Sequence, residues 1–289
     1  MNHPHPRPDM NLILQALSPE RSTIERIAEM ADAQRVVPVN DNVFRCEGIR
    51  ITDDLKERID AECFSVQVDY AFVQPGRKLS DFGLVAMDMD STLITIECID
   101  EIADMQGLKP QVAEITEAAM RGEIEFRESL TRRVALLKGL DAAALQRVYD
   151  ERLELSMGAA NMLGAVKAAG LKTLLVSGGF TFFTDRMKTT LGLDYTHSNV
   201  LEIVDGKLTG RVVNGIVDAD EKKHTVERVC AELGIPTKKA IVMGDGANDL
   251  KMMSVAGMSV AFRAKPIVRQ QADVALNFVG LDGILSLFE

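Results

Sequence analysis

Asp88-Met89-Asp90-Ser91-Thr92 sets two carboxylates two residues apart, directly after the apolar run Gly83-Leu84-Val85-Ala86-Met87. If the backbone turns there, both face one site and can divide labour, one as nucleophile and one as general acid and base. A strand-end aspartate also commonly caps the helix that follows, so the pair alone decides little. Val176-Ser177-Gly178-Gly179 ends a second apolar run. A hydroxyl beside two glycines lets backbone N–H groups approach an anion closely, though an ordinary strand-to-helix turn reads the same. Glu221-Lys222-Lys223-His224 opens a helix through Val226 and Val229. A lysine there can meet an anion as a point charge; taken alone, a Lys-Lys pair reads as a solvated charge run. Met243-Gly244-Asp245-Gly246-Ala247-Asn248-Asp249 places two more aspartates at a strand end among small residues, a set suited to a hard, oxygen-ligated cation. Neither Gly-x-Gly-x-x-Gly nor Gly-x-x-x-x-Gly-Lys-Ser/Thr occurs, which leaves a dinucleotide fold and a P-loop unsupported.

These segments need a scaffold that brings strand ends together. From Leu84 onward short buried strands alternate with helices, the rhythm of a parallel sheet. The expected strands are residues 83–87, 173–176, 240–243, 258–261 and 274–276, and ligands of such sheets bind at the carboxyl ends of the strands. Residues 97–156 break the alternation with amphipathic helix interrupted near Gly107, Gly122 and Gly139, and read as a helical cap over the site. Residues 195–217 read as strands around the Asp205-Gly206 turn. Ahead of this lies a β-α-β-β-α-β order over residues 11–74, with Ser18-Pro19-Glu20 expected to cap and open its first helix and Asp53-Asp54 its second. Residues 1–10, rich in His and Pro, read as a disordered tail without an apolar signal segment. The expected domains are therefore residues 11–76 and 82–289.

Taken together and in this order, Asp-x-Asp-x-Thr, Ser-Gly-Gly, Lys and Gly-Asp-Gly-x-x-Asp resemble the haloacid dehalogenase-like phosphohydrolases. The finer spelling is similar to the phosphoserine phosphatases among them: Glu97-Cys98-Ile99-Asp100-Glu101, Ser129-Leu130-Thr131-Arg132-Arg133 and Gly178-Gly179-Phe180. Met89, where many members carry Phe, is an apolar departure that leaves the chemistry intact. The resemblance implies an α/β fold with a Rossmann-like parallel sheet and inserted cap. It also implies Mg²⁺-dependent hydrolysis of O-phosphoserine through an aspartyl phosphate, the last step of serine biosynthesis. Asp88 would attack phosphorus and Asp90 would serve as acid and then base. Asp88, Asp245 and the Asp90 carbonyl would hold Mg²⁺, with Asp249 behind them on cation-bound water. Ser177, the Gly178 amide and Lys222 would hold phosphoryl oxygens, and Asn248 would orient its neighbours. Glu97 would meet the substrate ammonium, Arg133 its carboxylate, and Phe126 would form an apolar wall. A phosphate approaching aspartates is repelled by ~4 kcal/mol per charge pair at about 4 Å, which is why a divalent cation is required. The N-terminal unit is similar in topology to ACT-type modules, which often bind amino acids or mediate dimerisation.

Of the 289 residues, 46% are apolar and 26% charged, enough to bury a sizeable core, and the net charge of -10 argues against a nucleic-acid partner. Uncharged runs fall short of the ~20 residues a membrane span requires. Cys46, Cys63, Cys98 and Cys230 form no Cys-x-x-Cys pair and read as buried thiols of a cytoplasmic protein. Two alternatives stand beside phosphoserine hydrolysis. One keeps the fold but uses another small phosphomonoester or passes phosphate to homoserine. The other is a non-enzymatic amino-acid sensor, which would have no use for Asp88, Asp90, Ser177, Lys222 and Asp245 together.

Overall fold

Alternation along the first strand sets the architecture of the N-terminal unit. In the computed structural model, which describes residues 9–121 and 123–289, Leu12 and Leu14 point to one core and Ile13 to another. Strands β1 (Met10–Gln15), β2 (Arg35–Pro38), β3 (Val43–Ile49) and β4 (Asp69–Val73) form an antiparallel sheet in the order β2-β3-β1-β4. Helices α1 (Arg21–Met30) and α2 (Asp53–Ser65) cover the Leu12 face through Ile24, Ile27, Ile59 and Cys63. The Thr52 hydroxyl caps α2 by accepting from the Leu55 amide at 3.1 Å. The expected start of α1 is not where Ser18-Pro19 placed it: the helix begins at Arg21 after an extended Glu20 with no side-chain cap. The expected tail to residue 10 lies mostly outside the described residues, as does the cap break at Gly122; Met10 already belongs to β1.

The second sheet has seven strands: β5 (Leu84–Met87), β6 (Lys172–Phe180), β7 (Tyr195–Val204), β8 (Lys207–Val213), β9 (Ala240–Gly244), β10 (Met258–Phe262) and β11 (Val274–Leu276). Their order is β11-β10-β9-β5-β6-β7-β8, parallel apart from the β7–β8 hairpin. Both faces are covered, so β5 is apolar throughout: Val85 and Met87 face one core, Leu84 and Ala86 the other. Helices α3 (Cys98–Asp104), α4 (Lys109–Met120), α5 (Phe126–Ala135) and α6 (Ala143–Glu151) follow β5. Their inner residues Ile102, Val112, Leu130 and Val148 join the same core as Leu175 and Met243. Helices α7 (Ala159–Ala168), α8 (Thr181–Leu191), α9 (Ala219–Leu233), α10 (Leu250–Ser254) and α11 (Pro266–Gln271) complete the chain. Of three strands adjacent in the sheet, β5 and β9 end just before Asp88 and Asp245, and β6 carries Ser177 to Gly179 just before its last residue, Phe180. The order of the strands therefore gathers three chemistry-bearing segments at one rim. Among the described residues no helix is long and apolar enough to cross a membrane. The four thiols are buried and unpaired.

Candidate active site

After β5 the chain makes one wide turn. The Leu93 amide reaches back to the Asp88 carbonyl (3.3 Å) and the Ile94 amide to that of Met89 (3.1 Å), with Ser91 held at a left-handed φ of 57°. A non-glycine residue in that region carries strain, here concentrated beside the two acids. The turn leaves Asp88 at the rim with its Oδ1 accepting from the Met89 amide (2.9 Å) and from Lys222 Nζ (3.1 Å). Capping and site-building are thus performed by the same carboxylate.

Lys222, fully buried, also donates to Asp249 Oδ1 at 2.8 Å. Lys223, the next residue, is only half-buried. Asp249, read from the resemblance as a hold for cation-bound water, has both oxygens engaged by protein donors. Its Oδ2 accepts from the amides of Asp245 (3.0 Å) and Gly246 (3.1 Å). Asp249 therefore shapes the Asp245 turn and fixes the ammonium. Gly244 must be glycine here, because a Cβ would lie 2.5 Å from the Asp249 carboxylate. Asn248 folds back over Gly246, its Oδ1 2.7 Å from where a Cβ on that glycine would stand.

Ligand oxygens of Asp88, Asp245 and Asp249 lie within 4.8 Å of one another. Asp88 and Asp245 keep Oδ2 free of protein donors among the described residues, while each Oδ1 is fixed, that of Asp245 by the Thr92 hydroxyl at 2.7 Å. Hard oxygens with one anchored and one free atom apiece suit a small divalent cation. The electrostatics point the same way. Burial, with Asp249 adding to it, raises Asp88 well above the carboxylate range and lifts Asp245 to about 7. Burial and the Glu97 charge lift Asp90 to about 8. Burial opposes the Lys222 charge, but Asp249 and Asp88 outweigh it and hold the ammonium above its ordinary range. One lysine among four acids leaves the cluster short of positive charge.

Beside Asp88, the Ser177 hydroxyl accepts from the Gly179 amide at 2.8 Å. The space over Gly179 is shared by Ser177 Oγ (3.0 Å) and Asp90 Oδ2 (3.3 Å), so the second acid leans toward the Ser-Gly-Gly turn. Phe126, from the cap, approaches to 3.3 Å of a notional Cβ on Gly178. Glu97 at the start of α3 accepts from the Ser91 hydroxyl at 2.7 Å, and burial raises its carboxyl. Arg133 is half-buried, and desolvation lowers it against the pull of Asp100, Glu97 and Asp90. Among the described residues its hydrogen bond is to the Ser129 carbonyl (3.3 Å), leaving the rest of the guanidinium fork open. The structure thus brings the predicted residues of the rim together, and carries Glu97, Phe126 and Arg133 to it from the cap.

Three residues that sequence reasoning passed over complete the site. Thr92 sets Asp245; it was visible in Asp-x-Asp-x-Thr but had no assigned partner. Asn199, buried on β7, donates to the Gly178 carbonyl (2.8 Å) and accepts from the Val217 amide (2.7 Å), tying the Ser-Gly-Gly turn to the approach of α9. Nothing marked it in the sequence, since it follows Thr196, His197 and Ser198 in the polar first half of β7. Asp218 caps α9, its Oδ1 accepting from the Glu221 amide at 2.9 Å.

The sequence pattern of the haloacid dehalogenase-like hydrolases matches residues 82–257. A curated phosphoserine phosphatase of Polaromonas sp. is 61% identical over 218 residues, which is 74% of this chain and 92% of that protein. The solved structure of a haloacid dehalogenase family hydrolase from Salmonella enterica serovar Typhi superposes with a TM-score of 0.88 at 33% identity, covering 97% of this chain and 98% of its own. A structure described as a phospho-aspartyl intermediate analogue of phosphoserine phosphatase has a TM-score of 0.68 at 37% identity, covering 72% of this chain and 99% of that one.

Proposed function

Because the chain belongs to the haloacid dehalogenase-like hydrolases, we propose that its rim of acids hydrolyses O-phosphoserine to serine and phosphate, the last step of serine biosynthesis. The observation that carries this reading is the hydrogen-bonded set Asp88–Lys222–Asp249 beside Ser177, with Glu97 and Arg133 of the cap within electrostatic reach of Asp90. Mg²⁺ fits the free oxygens of Asp88 and Asp245 with the Asp90 carbonyl; when bound, it would neutralise the acids and the incoming phosphate. Asp88 attacks phosphorus, and the ester oxygen leaves with a proton given by Asp90, whose carboxyl is raised by burial and by the Glu97 charge. The phosphoryl group now sits on the Asp88 carboxylate. Asp90, left as the anion, takes a proton from the water that cleaves this acyl phosphate and is ready again. Lys222 and the Ser177-Gly178 turn hold the phosphoryl oxygens, supplying positive charge and N–H donors where negative charge is spread.

Glu97 and Arg133 select the amino-acid portion, a carboxylate for the ammonium and a guanidinium fork for the carboxylate. The four unpaired thiols fit a cytoplasmic protein, and the unpaired outer edge of β2 is where a second copy would join a homodimer. Phosphate release from O-phosphoserine in the presence of Mg²⁺ tests the reading. Wild type should turn over, and Asp88→Asn should fall by at least about a thousandfold while melting as before. Preference for a phosphomonoester lacking the amino-acid portion would overturn the substrate, and a fully active Asp88→Asn would overturn the nucleophile.

A further inference from the structure

Helix α5 carries Phe126 and Arg133, and its two ends are held by different means. Its C-terminal end runs into residues 139–142, which share three main-chain hydrogen bonds with the β7–β8 hairpin. These are Gly139 N to Leu208 O (2.8 Å), Leu208 N to Leu140 O (2.9 Å) and Ala142 N to Gly206 O (2.8 Å). The linkers at the base of the cap are stitched in the same way, Thr95 N to Glu154 O at 3.0 Å and Ser156 N to Leu93 O at 2.9 Å. Among the described residues, the N-terminal end of α5 has no such ladder. Among the described residues, its hydrogen bonds to the core are those of Arg127, whose Nε and Nη2 lie 3.0 and 2.9 Å from Asp218 Oδ2. The other oxygen of Asp218 caps α9 by accepting from the amide of Glu221, the residue before Lys222. A single ion pair therefore joins the start of the helix bearing Phe126 to the start of the helix bearing Lys222.

We propose that Arg127 and Asp218 are the latch that holds the cap over the site, with Arg127 as a positioning residue that acts through Phe126 and α5. A main-chain ladder opens only by breaking several bonds at once, whereas a side-chain pair whose members are 58% and 20% exposed trades its contact for water at little cost. Opening is thus confined to the Phe126 end, where substrate would enter between α5 and the Ser177-Gly178 turn. Closing the pair sets Phe126 back against Gly178. The arginine is already engaged by Asp218, so its role is the placement of the helix and not a contact with phosphate.

This inference rests on the reading that α5 lines the substrate pocket, and its test separates the two. The full chain with Mg²⁺ is compared with Arg127→Ala, Asp218→Asn (which keeps an acceptor for the cap of α9), their combination, and Arg127→Lys. Amide exchange at residues 129–133 should quicken about two- to fivefold in either single variant, the range expected of an exposed charge pair. KM for O-phosphoserine should rise by a similar factor with kcat held. The combined variant should be no worse than the poorer single one, since both remove the same contact, and Arg127→Lys should recover part of the loss. Unchanged exchange at residues 129–133, effects that add in the combined variant, or a fall in kcat at constant KM would each overturn the latch. A wild type inert toward O-phosphoserine would instead overturn the substrate reading, and the exchange comparison would still decide the latch by itself.

Discussion

Thr92 shows how much of this site is built by residues that hold the acids. Its hydroxyl pins Asp245 Oδ1 at 2.7 Å across 153 positions of sequence and so aims the free Oδ2. Thr92→Val keeps the shape and removes the donor, and Asp245 would then turn freely. Groups that orient metal ligands typically matter by 10- to 100-fold in affinity, so the Mg²⁺ concentration for half-maximal activity should rise by roughly that factor. An unshifted Mg²⁺ titration would mean that Asp245 is set by something else. The acids themselves predict a pH effect. With Asp90 lifted to about 8, Asp245 to about 7 and Asp88 raised, the native metal-free protein keeps protons that the unfolded chain has released above the ordinary carboxylate range. Stability in chelator must therefore fall as pH rises from about 5 to about 8. Melting curves across that window check the sign, and added Mg²⁺ should flatten the slope. The acids were legible because their types and order announce chemistry. Thr92, Asn199 and Asp218 were not, because each matters only through a partner that the fold supplies from elsewhere.

At the level of elements, the strand ends were readable and the boundaries less so. Apolar runs stopping at Asp88, Ser177 and Gly244-Asp245 place the rim correctly because buried parallel strands must be apolar and must end where polar groups begin. The start of α1 was misplaced by two residues, since Ser18-Pro19 offers good capping chemistry that this turn does not use. The β7–β8 hairpin was visible as strands around Asp205-Gly206, but its docking on the cap had no signal beyond one residue. Gly210, at φ 85°, faces α5 so closely that a Cβ would lie 2.9 Å from that of Lys138 and 3.3 Å from the Ala135 carbonyl. Gly210→Val therefore meets both a disfavoured backbone and a backbone neighbour. It should destabilise the protein by about 2 kcal/mol and loosen the cap at the end that the hairpin secures. Thermal melting measures the first, and KM for the substrate the second. A variant as stable as wild type would mean that α5 has room to move aside.

Across the whole molecule, the N-terminal unit is joined to the larger sheet by a buried carboxylate. Asp69, at the start of β4 and 1% exposed, accepts from three successive amides beyond β11: Asn277 at 2.8 Å, and Phe278 and Val279 at 2.9 Å each. Burial raises its carboxyl while these amides work to lower it. Nothing in the local sequence marks this aspartate among the 43 acidic residues, because its partners lie more than 200 positions away. It is a junction that only the assembled fold reveals. Asp69→Ala leaves three buried N–H groups without an acceptor, and each such group costs about 1–3 kcal/mol. Partial solvation of the opened seam should hold the total to about 3–5 kcal/mol. Because β4 and the segment after β11 would separate first, the loss should surface as early unfolding of the N-terminal unit. A single denaturant transition should then split in two, with residues 10–73 losing amide protection ahead of β5, β6 and β9. One cooperative transition at the wild-type midpoint would mean that the two sheets are held without Asp69, by apolar packing around Ile13, Val73 and Leu287 and by the Gln15 side chain donating to the Gly283 carbonyl at 2.9 Å.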